Sequence, residues 1–221
     1  MAEPKSRANT EEVHDRLRAD ILAGVYGPGE KLRFAPLGTD YAASIGVLRE
    51  ALTRLAEQGL VMSEPRIGFT VRSLSLDDLN DLTMVRGDIE TIALRKAIEH
   101  GDMAWESALV AAHHTLEKTP VMADTKPIRV SDAWERAHAN FHRALIAGCA
   151  SPRLTSIAET LRNSSELYRR WSQPLDQNRD VAAEHKGLLK ATLGRDADRA
   201  ASLLRAHYER TAAILRTHLT V

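Results

Sequence analysis

Four of the nine histidines stand where the spacing of apolar residues places the inside of a helix. In "HANFHRAL", His138 and His142 are one helical turn apart, and Trp134, Phe141, Leu145 and Ile146 mark the same stretch as buried. Side chains at i and i+4 project from one face about 6 Å apart, which suits two ligands converging on one metal ion. A lone buried histidine is more simply a core residue satisfied by one hydrogen bond, so the pair needs company. His185 has Val181, Ala182, Leu188 and Leu189 at the i±3 and i±4 positions, and His207 follows Leu203 and Leu204 and precedes Thr211 by one turn. Four imidazoles on inward faces of three helices predict a divalent-metal site. The single cysteine, Cys149, removes an internal disulfide framework and a cysteine-based zinc site, which leaves histidine and carboxylate as donors. His113 and His114 are adjacent, point about 100° apart, and are expected at the surface, as is His218. His14 is not expected to be a ligand.

The elements that carry these residues are helical nearly throughout. A chain of 221 residues holds one large or two small domains, and 43% hydrophobic with 27% charged residues is ordinary globular composition. The start, "MAEPKSRANTEE", is polar, and no apolar run is long enough to cross a bilayer, so a soluble, cytoplasmic protein without a membrane partner is expected. "EEVHDRLRADILAG" repeats Val13, Leu17, Ile21 and Leu22 and stops at Gly24, a first helix. A short helix over Ala35 to Tyr41 and a third opening near Ser44 follow. Between Leu60 and Leu74 the period changes to an alternation about a turn with Pro65 and Gly68, a β-hairpin. From Ser75 only helices are legible: "SLDD" offers a cap, and Leu76, Leu79, Leu82, Val85, Ile89 and Ile92 define a buried stripe. "EKTPVMADTKPIRVSD" is a loop, and further helices are predicted at Asp132 to Ala147, Pro152 to Trp171, Val181 to Leu193 and Ala197 to Leu219. The fold class is mainly α: a winged helix-turn-helix over residues 1–74, then an all-helical bundle of about six helices over 75–221.

The first domain reads as nucleic-acid chemistry. From Ser44 to Glu57, Val47, Leu48, Ala51, Leu52 and Leu55 fall on one side, with Ile45, Gly46, Arg49 and Thr53 opposite. Small residues, a hydroxyl and one arginine on an open face fit a major groove, where arginine gives guanine two hydrogen bonds. Taken alone, this is also the pattern of a plain amphipathic surface helix. A short helix, a tight turn, this helix and a hairpin bearing Arg66 and Arg72 complete the winged arrangement, whose wing lies along phosphates. Residues 1–73 hold ten basic and ten acidic side chains, so binding rests on local clustering of Arg33, Arg49, Arg66 and Arg72.

"LRADILAGVYGPGEKL", "LGTDYAASIGVLREALTRLAEQGLV" and "PRIGFTV" resemble, in order and spacing, the reader of GntR-type bacterial transcription regulators. The helices after Ser75 resemble the FCD effector domain of their FadR-type branch, and the similarity covers about residues 11–219. The resemblance implies a homodimer on a palindromic operator. It makes Arg49 the operator reader and Arg33 a contact to backbone or base edges, and it matches Gly68 to the wing glycine; Ser44, Thr53 and Arg66 are further DNA-contact candidates from the helix and the hairpin themselves. Many members carry another arginine early in the recognition helix, where this chain has Ile45 and Gly46.

The branch commonly holds a divalent metal through an aspartate, a histidine four residues later and two histidines on later helices. His142, His185 and His207 match the three histidines, and His138 stands at the aspartate position. His138 is then either a fourth ligand or an outer partner. Replacing a carboxylate by a neutral imidazole moves preference from calcium, magnesium and manganese toward zinc, nickel or copper, with zinc expected first and nickel next. The resemblance also implies a small organic acid in the same cavity. Arg86, Ser164 and Tyr168 are its candidate contacts. Arg86 with Glu90 reads equally as an exposed i, i+4 ion pair, and the serine and tyrosine sit on a stripe with Leu154, Ile157, Leu161 and Trp171. A metal-dependent hydrolase is the rival class, but no HExxH is present and the winged helix would go unexplained. In a third reading, a metal sensor, the ion itself is the signal.

Overall fold

The computed structural model describes residues 9–124, 130–172 and 179–219. It divides the chain into two compact units, Met1–Leu74 and Ser75–Val221. The side chains of Trp171 and His218, and residues 125–129 of the expected loop, lie outside the described residues.

The first unit runs α1 (Thr10–Leu22), β1 (Lys31–Leu32), α2 (Phe34–Asp40), α3 (Ile45–Glu57), β2 (Val61–Glu64) and β3 (Gly68–Val71). Asn9 caps α1 by accepting the Glu12 N–H at 2.8 Å. The helix buries Val13, Leu17, Ile21 and Leu22, and the chain leaves it through Gly24 at φ +78°. Ser44 caps α3, whose Leu48, Ala51, Leu52 and Leu55 are fully buried; Val47, expected with them, is only partly so. Each fully buried leucine contributes about 1.5 to 3 kcal/mol. The hairpin forms as the alternation predicts, with Val61 opposite Val71 and Glu64 opposite Gly68. Arg66 and Gly68, at φ +67° and +98°, make its turn left-handed. The sequence reading missed β1, which pairs with β3 to give the antiparallel order β1-β3-β2. Two residues are too few to show a period.

The second unit is a bundle of α4 (Leu76–His100), α5 (Met103–Lys118), α6 (Asp132–Ala147), α7 (Pro152–Ser172), α8 (Val181–Leu193) and α9 (Ala197–Leu219). Ser75, Asp102, Ser131 and Asp180 each cap a helix with a side-chain oxygen. Between α4 and α5 a Cβ on Gly101 would stand 2.0 Å from the Trp105 ring and 2.5 Å from the Ala97 carbonyl, so only glycine fits there. The apolar core joins Leu94 and Ala97 of α4, Leu109 of α5, Phe141 and Leu145 of α6, Leu188 of α8 and Leu204 of α9. No helix among the described residues is long and apolar enough to cross a membrane.

Three expectations need correction. The stripe of α4 does not stay apolar: Ile92 is 47% exposed, while Arg86, Gly87, Glu90 and Thr91 are buried. The charges turn inward because each meets an opposite charge there. On α7, Ile157 is 47% exposed and the inner face is Ala158, Arg162, Ser165 and Arg169. His113 is buried against the Phe141 ring, 5.4 Å away edge to face, while His114 is exposed.

Candidate functional site

Helix α6 carries His138 and His142 on the face that also buries Trp134, Phe141, Leu145 and Ile146. Helix α8 brings His185 from its first turn, and α9 brings His207 from its middle. All four rings are buried, and one nitrogen of each can be chosen so that the four lie within 4.8 Å of one another. Ligands of a tetrahedral zinc at about 2.05 Å stand about 3.3 Å apart, so closing the cluster on an ion requires movements of about an ångström. His138 belongs to the group geometrically. Its ring lies 4.5 Å from that of His142 and 5.0 Å from that of His185, and it stacks on Trp134 at 4.7 Å.

Both ring nitrogens of His138 and His142, and Nε2 of His185, are buried without a hydrogen-bond partner. Each such group left unsatisfied costs about 1 to 3 kcal/mol. Burial pushes all three imidazoles well below their ordinary pKa, and the neighbouring imidazoles push the same way. Burial likewise lowers His207, with Glu184 opposing. Neutral imidazoles with free lone pairs are the state that binds a divalent ion, so the residues present fit a metal.

Beside the histidines lies a small cavity of about 20 Å³, bounded by Arg86, His138, Ser165, Tyr168, Arg169, His207 and Tyr208 among others. Arg86 is not an exposed pair with Glu90. It is buried, gives Nε to Glu90 at 2.9 Å and a terminal nitrogen to Ser165 at 2.8 Å, and lies 3.9 Å over the Tyr208 ring. Glu90 also accepts from Tyr208 at 2.8 Å and Arg162 at 3.4 Å. Burial raises the Glu90 carboxyl, but Arg86 and Arg162 hold it below its usual value. Arg169 pairs with Glu135 at 2.8 Å and reaches Ser165 at 3.1 Å. Ser164, expected in the cavity, instead turns its hydroxyl to the Thr160 carbonyl at 3.1 Å, and Ser165 takes that place. One residue is 100° of helix, enough to exchange lining for surface. Tyr168 lines the cavity with its ring, while its hydroxyl donates to Asp78 at 2.7 Å.

In the first unit, Arg33, Ser44, Arg49, Thr53 and Arg66 are exposed and Gly68 partly so. Lys31, Arg33, Arg49 and Arg66 border one open groove with Glu64 the acidic member, a basic patch in a unit whose total charges balance. The Arg49 guanidinium lies 5.1 Å over the Phe34 ring, which meets Phe69 of the wing edge to face at 6.1 Å. Thr53 donates its hydroxyl to the Arg49 carbonyl at 2.8 Å. Phe34 escaped the sequence reading; an aromatic residue directly after Arg33 was its one signal.

Residues 9–71 match the family described as bacterial regulatory proteins, gntR family, and residues 81–210 match the FCD domain. The chain is 36% identical over 211 residues to the uncharacterized HTH-type transcriptional regulator BphR of Paraburkholderia xenovorans, covering 95% of this chain and 86% of that protein. It is 34% identical over 196 residues to the HTH-type transcriptional repressor GlaR of Escherichia coli K12, covering 86% and 88%. Among solved structures, E. coli McbR/YncC superposes with a TM-score of 0.71 at 21% identity, covering 96% of this chain and 98% of that one. A GntR regulator of Rhodococcus sp. RHA1 gives 0.69 at 22%, covering 93% and 97%. These two likenesses speak to the fold. With a reader that matches at one end and an FCD domain at the other, the chain belongs to the GntR family of bacterial DNA-binding transcription regulators.

Proposed function

We propose that this regulator binds a palindromic operator as a homodimer and answers to a small carboxylate held beside a divalent metal. Residues 1–74 form the reader, and residues 75–221 form the effector-binding and dimerisation domain. The observation that carries the reading is the group of four buried imidazoles, most of whose nitrogens have no protein partner. His142, His185 and His207 hold the ion, with His138 as the fourth donor. A nitrogen-rich neutral set favours zinc, then nickel. Held by four nitrogens, an ion would supply a positive centre that an anion approaches as a fifth ligand; the protein residues orient that anion and exclude water. Arg86 and Arg169 line the cavity, and with Arg162 they set three guanidiniums against the carboxylates of Glu90 and Glu135, so the surroundings are cationic before any metal charge is added.

A cavity of about 20 Å³ holds about one water molecule. An organic acid can therefore enter only a state in which the cavity has opened. That difference in affinity between closed and open states is what an effector needs to shift a DNA-binding equilibrium. The test is an operator gel shift on the metal-loaded protein with a panel of small mono- and dicarboxylates. At least one acid is expected to change operator affinity about 5- to 150-fold, the usual range of such coupling. An acid that acts on the loaded protein and loses its effect after chelation supports the reading. An operator response that survives chelation undiminished, or no response to any acid, opposes it.

On DNA, α3 lies in the major groove, with Arg49 reading a guanine and Arg33, Ser44, Thr53, Arg66 and Gly68 contacting backbone or base edges. Ile45, 60% exposed one turn before Arg49, offers methyl groups where many members of the family offer an arginine. Its natural partner in the groove is a thymine methyl. Replacing that thymine by deoxyuridine in both strands' half-sites is expected to weaken binding about fourfold per half-site, from about 0.8 kcal/mol per buried methyl. The Ile45→Ala variant should be indifferent to the same replacement, and equal sensitivity of both proteins would remove Ile45 from the contact.

A further inference from the structure

We infer that Glu184 is the positioning residue of the metal centre: it fixes the tautomer of His207 and aims Nε2 of that ring at the ion. The inference rests on the metal reading above. Its observation is separate from the cluster of imidazoles. The Nδ1 atom of His207 stands 2.7 Å from Oε2 of Glu184, whose side chain is 9% exposed. Nδ1 also stands 3.4 Å from a terminal nitrogen of Arg179, which can only donate, but the carboxylate oxygen is the nearer partner and is an acceptor only, so the hydrogen of the short bond sits on Nδ1. The lone pair of the neutral ring is then on Nε2, the nitrogen free to face the other three histidines.

Glu184 is itself held firmly. Arg179 forks onto both oxygens, Nε to Oε1 at 3.0 Å and a terminal nitrogen to Oε2 at 2.8 Å, and Arg210 reaches Oε1 at 3.1 Å. Two guanidiniums thus stand on a carboxylate whose side chain is largely buried. Arg179 further donates to the His207 carbonyl and to the Thr211 hydroxyl, each at 2.9 Å, so it clips the start of α8 onto α9 at the level of the ligand. Glu184 and His185 are neighbours in the first turn of α8. Successive residues point about 100° apart, and one turn thereby supplies a ligand of its own and the partner of a ligand on α9. An outer carboxylate of this kind sets ring orientation and raises the basicity of the coordinating nitrogen, and its loss typically lowers metal affinity 10- to 100-fold.

The experiment uses the full chain, zinc as the probe and two variants. Glu184→Ala removes the acceptor; Glu184→Gln keeps an oxygen for the Nδ1 hydrogen and loses the charge. Zinc affinity is measured by competition with a chelator, and the ring tautomers are read in the metal-free proteins by long-range proton–nitrogen NMR with labelled histidine. In the parent, His207 is expected as the Nδ1–H tautomer. In Glu184→Ala that preference is lost and zinc affinity falls 10- to 100-fold, with a smaller fall and a retained tautomer in Glu184→Gln. A role confined to holding α8 on α9 would leave the tautomer unchanged. Parent-like zinc affinity in Glu184→Ala, or a parent whose His207 carries its hydrogen on Nε2, overturns the inference while the metal reading stands. A parent that takes up no zinc overturns the metal reading and the inference together. Should Glu184→Ala fail to fold, the parent's tautomer and the Glu184→Gln affinity still decide.

Discussion

Arg49→Ala should abolish specific operator binding while leaving the fold in place. Arg49 is exposed at the centre of the open face of α3 and is aimed by Phe34 beneath its guanidinium, at 5.1 Å, with Phe69 bracing that ring from the wing. One bidentate arginine–guanine contact discriminates by about 1 to 3 kcal/mol. A dimer loses it in both half-sites, about 2 to 6 kcal/mol in all, or about 30-fold to more than 10⁴-fold in affinity. The lost stacking costs the fold about 0.5 to 1 kcal/mol at an exposed site, too little to unfold the unit. Gel shift or anisotropy on the operator, beside a melting curve, separates the two effects. Undiminished operator affinity in a folded dimer would take α3 out of the groove.

The second large effect is expected at the histidines. Apparent binding free energies of structural four-ligand zinc sites are about 10 to 16 kcal/mol, so removing one ligand should cost about 3 kcal/mol, roughly 100-fold in affinity. His142→Ala, His185→Ala and His207→Ala should each show this loss. His138→Ala should show the same loss, as a fourth donor does; a loss of only about 10-fold would make it an outer partner instead. His138→Asp restores the donor usual in the family, and should keep the site filled while raising the share of manganese and magnesium relative to zinc. Stability reports the same event. Zinc at about 100 times its dissociation constant stabilises the folded state by about 2.7 kcal/mol, a rise of about 5 to 10 °C in Tm for a chain of this size. That rise should be present in the parent and absent from the three alanine variants. An equal rise in all of them would mean that zinc binds elsewhere.

The helices were legible because their signals are local. Asp132, Ala147, Val181, Leu193, Ala197 and Leu219 end their helices where the apolar spacing and caps put them. The inward direction of the four histidines was legible for the same reason: each sits among leucines, valines or aromatic residues one turn away. What failed was any inner face built from charge. Arg86, Glu90, Glu135, Arg162 and Arg169 look like surface residues in a sequence, and only their mutual neutralisation across α4, α6 and α7 allows them inside. The inner stripes of α4 and α7 were therefore set on the wrong phase, and Ser164 was chosen where Ser165 lines the cavity. Glu184 was overlooked although it stands directly before a candidate ligand, because its partner His207 is 23 residues away on another helix. Strand β1 and the Phe34 brace under Arg49 are likewise contacts between distant segments, which no local period records.

The most direct test of the metal-and-acid account is a crystal structure of the chain as purified from cells, with anomalous data at the zinc and nickel edges. The account predicts one ion per chain, bonded to nitrogens of His142, His185 and His207 at about 2.0 to 2.1 Å. His138 should supply the fourth nitrogen, and a carboxylate should approach the ion as a fifth ligand on the side of Arg86. A map with no anomalous peak among the four rings, and with their nitrogens hydrogen-bonded to water instead, would contradict it.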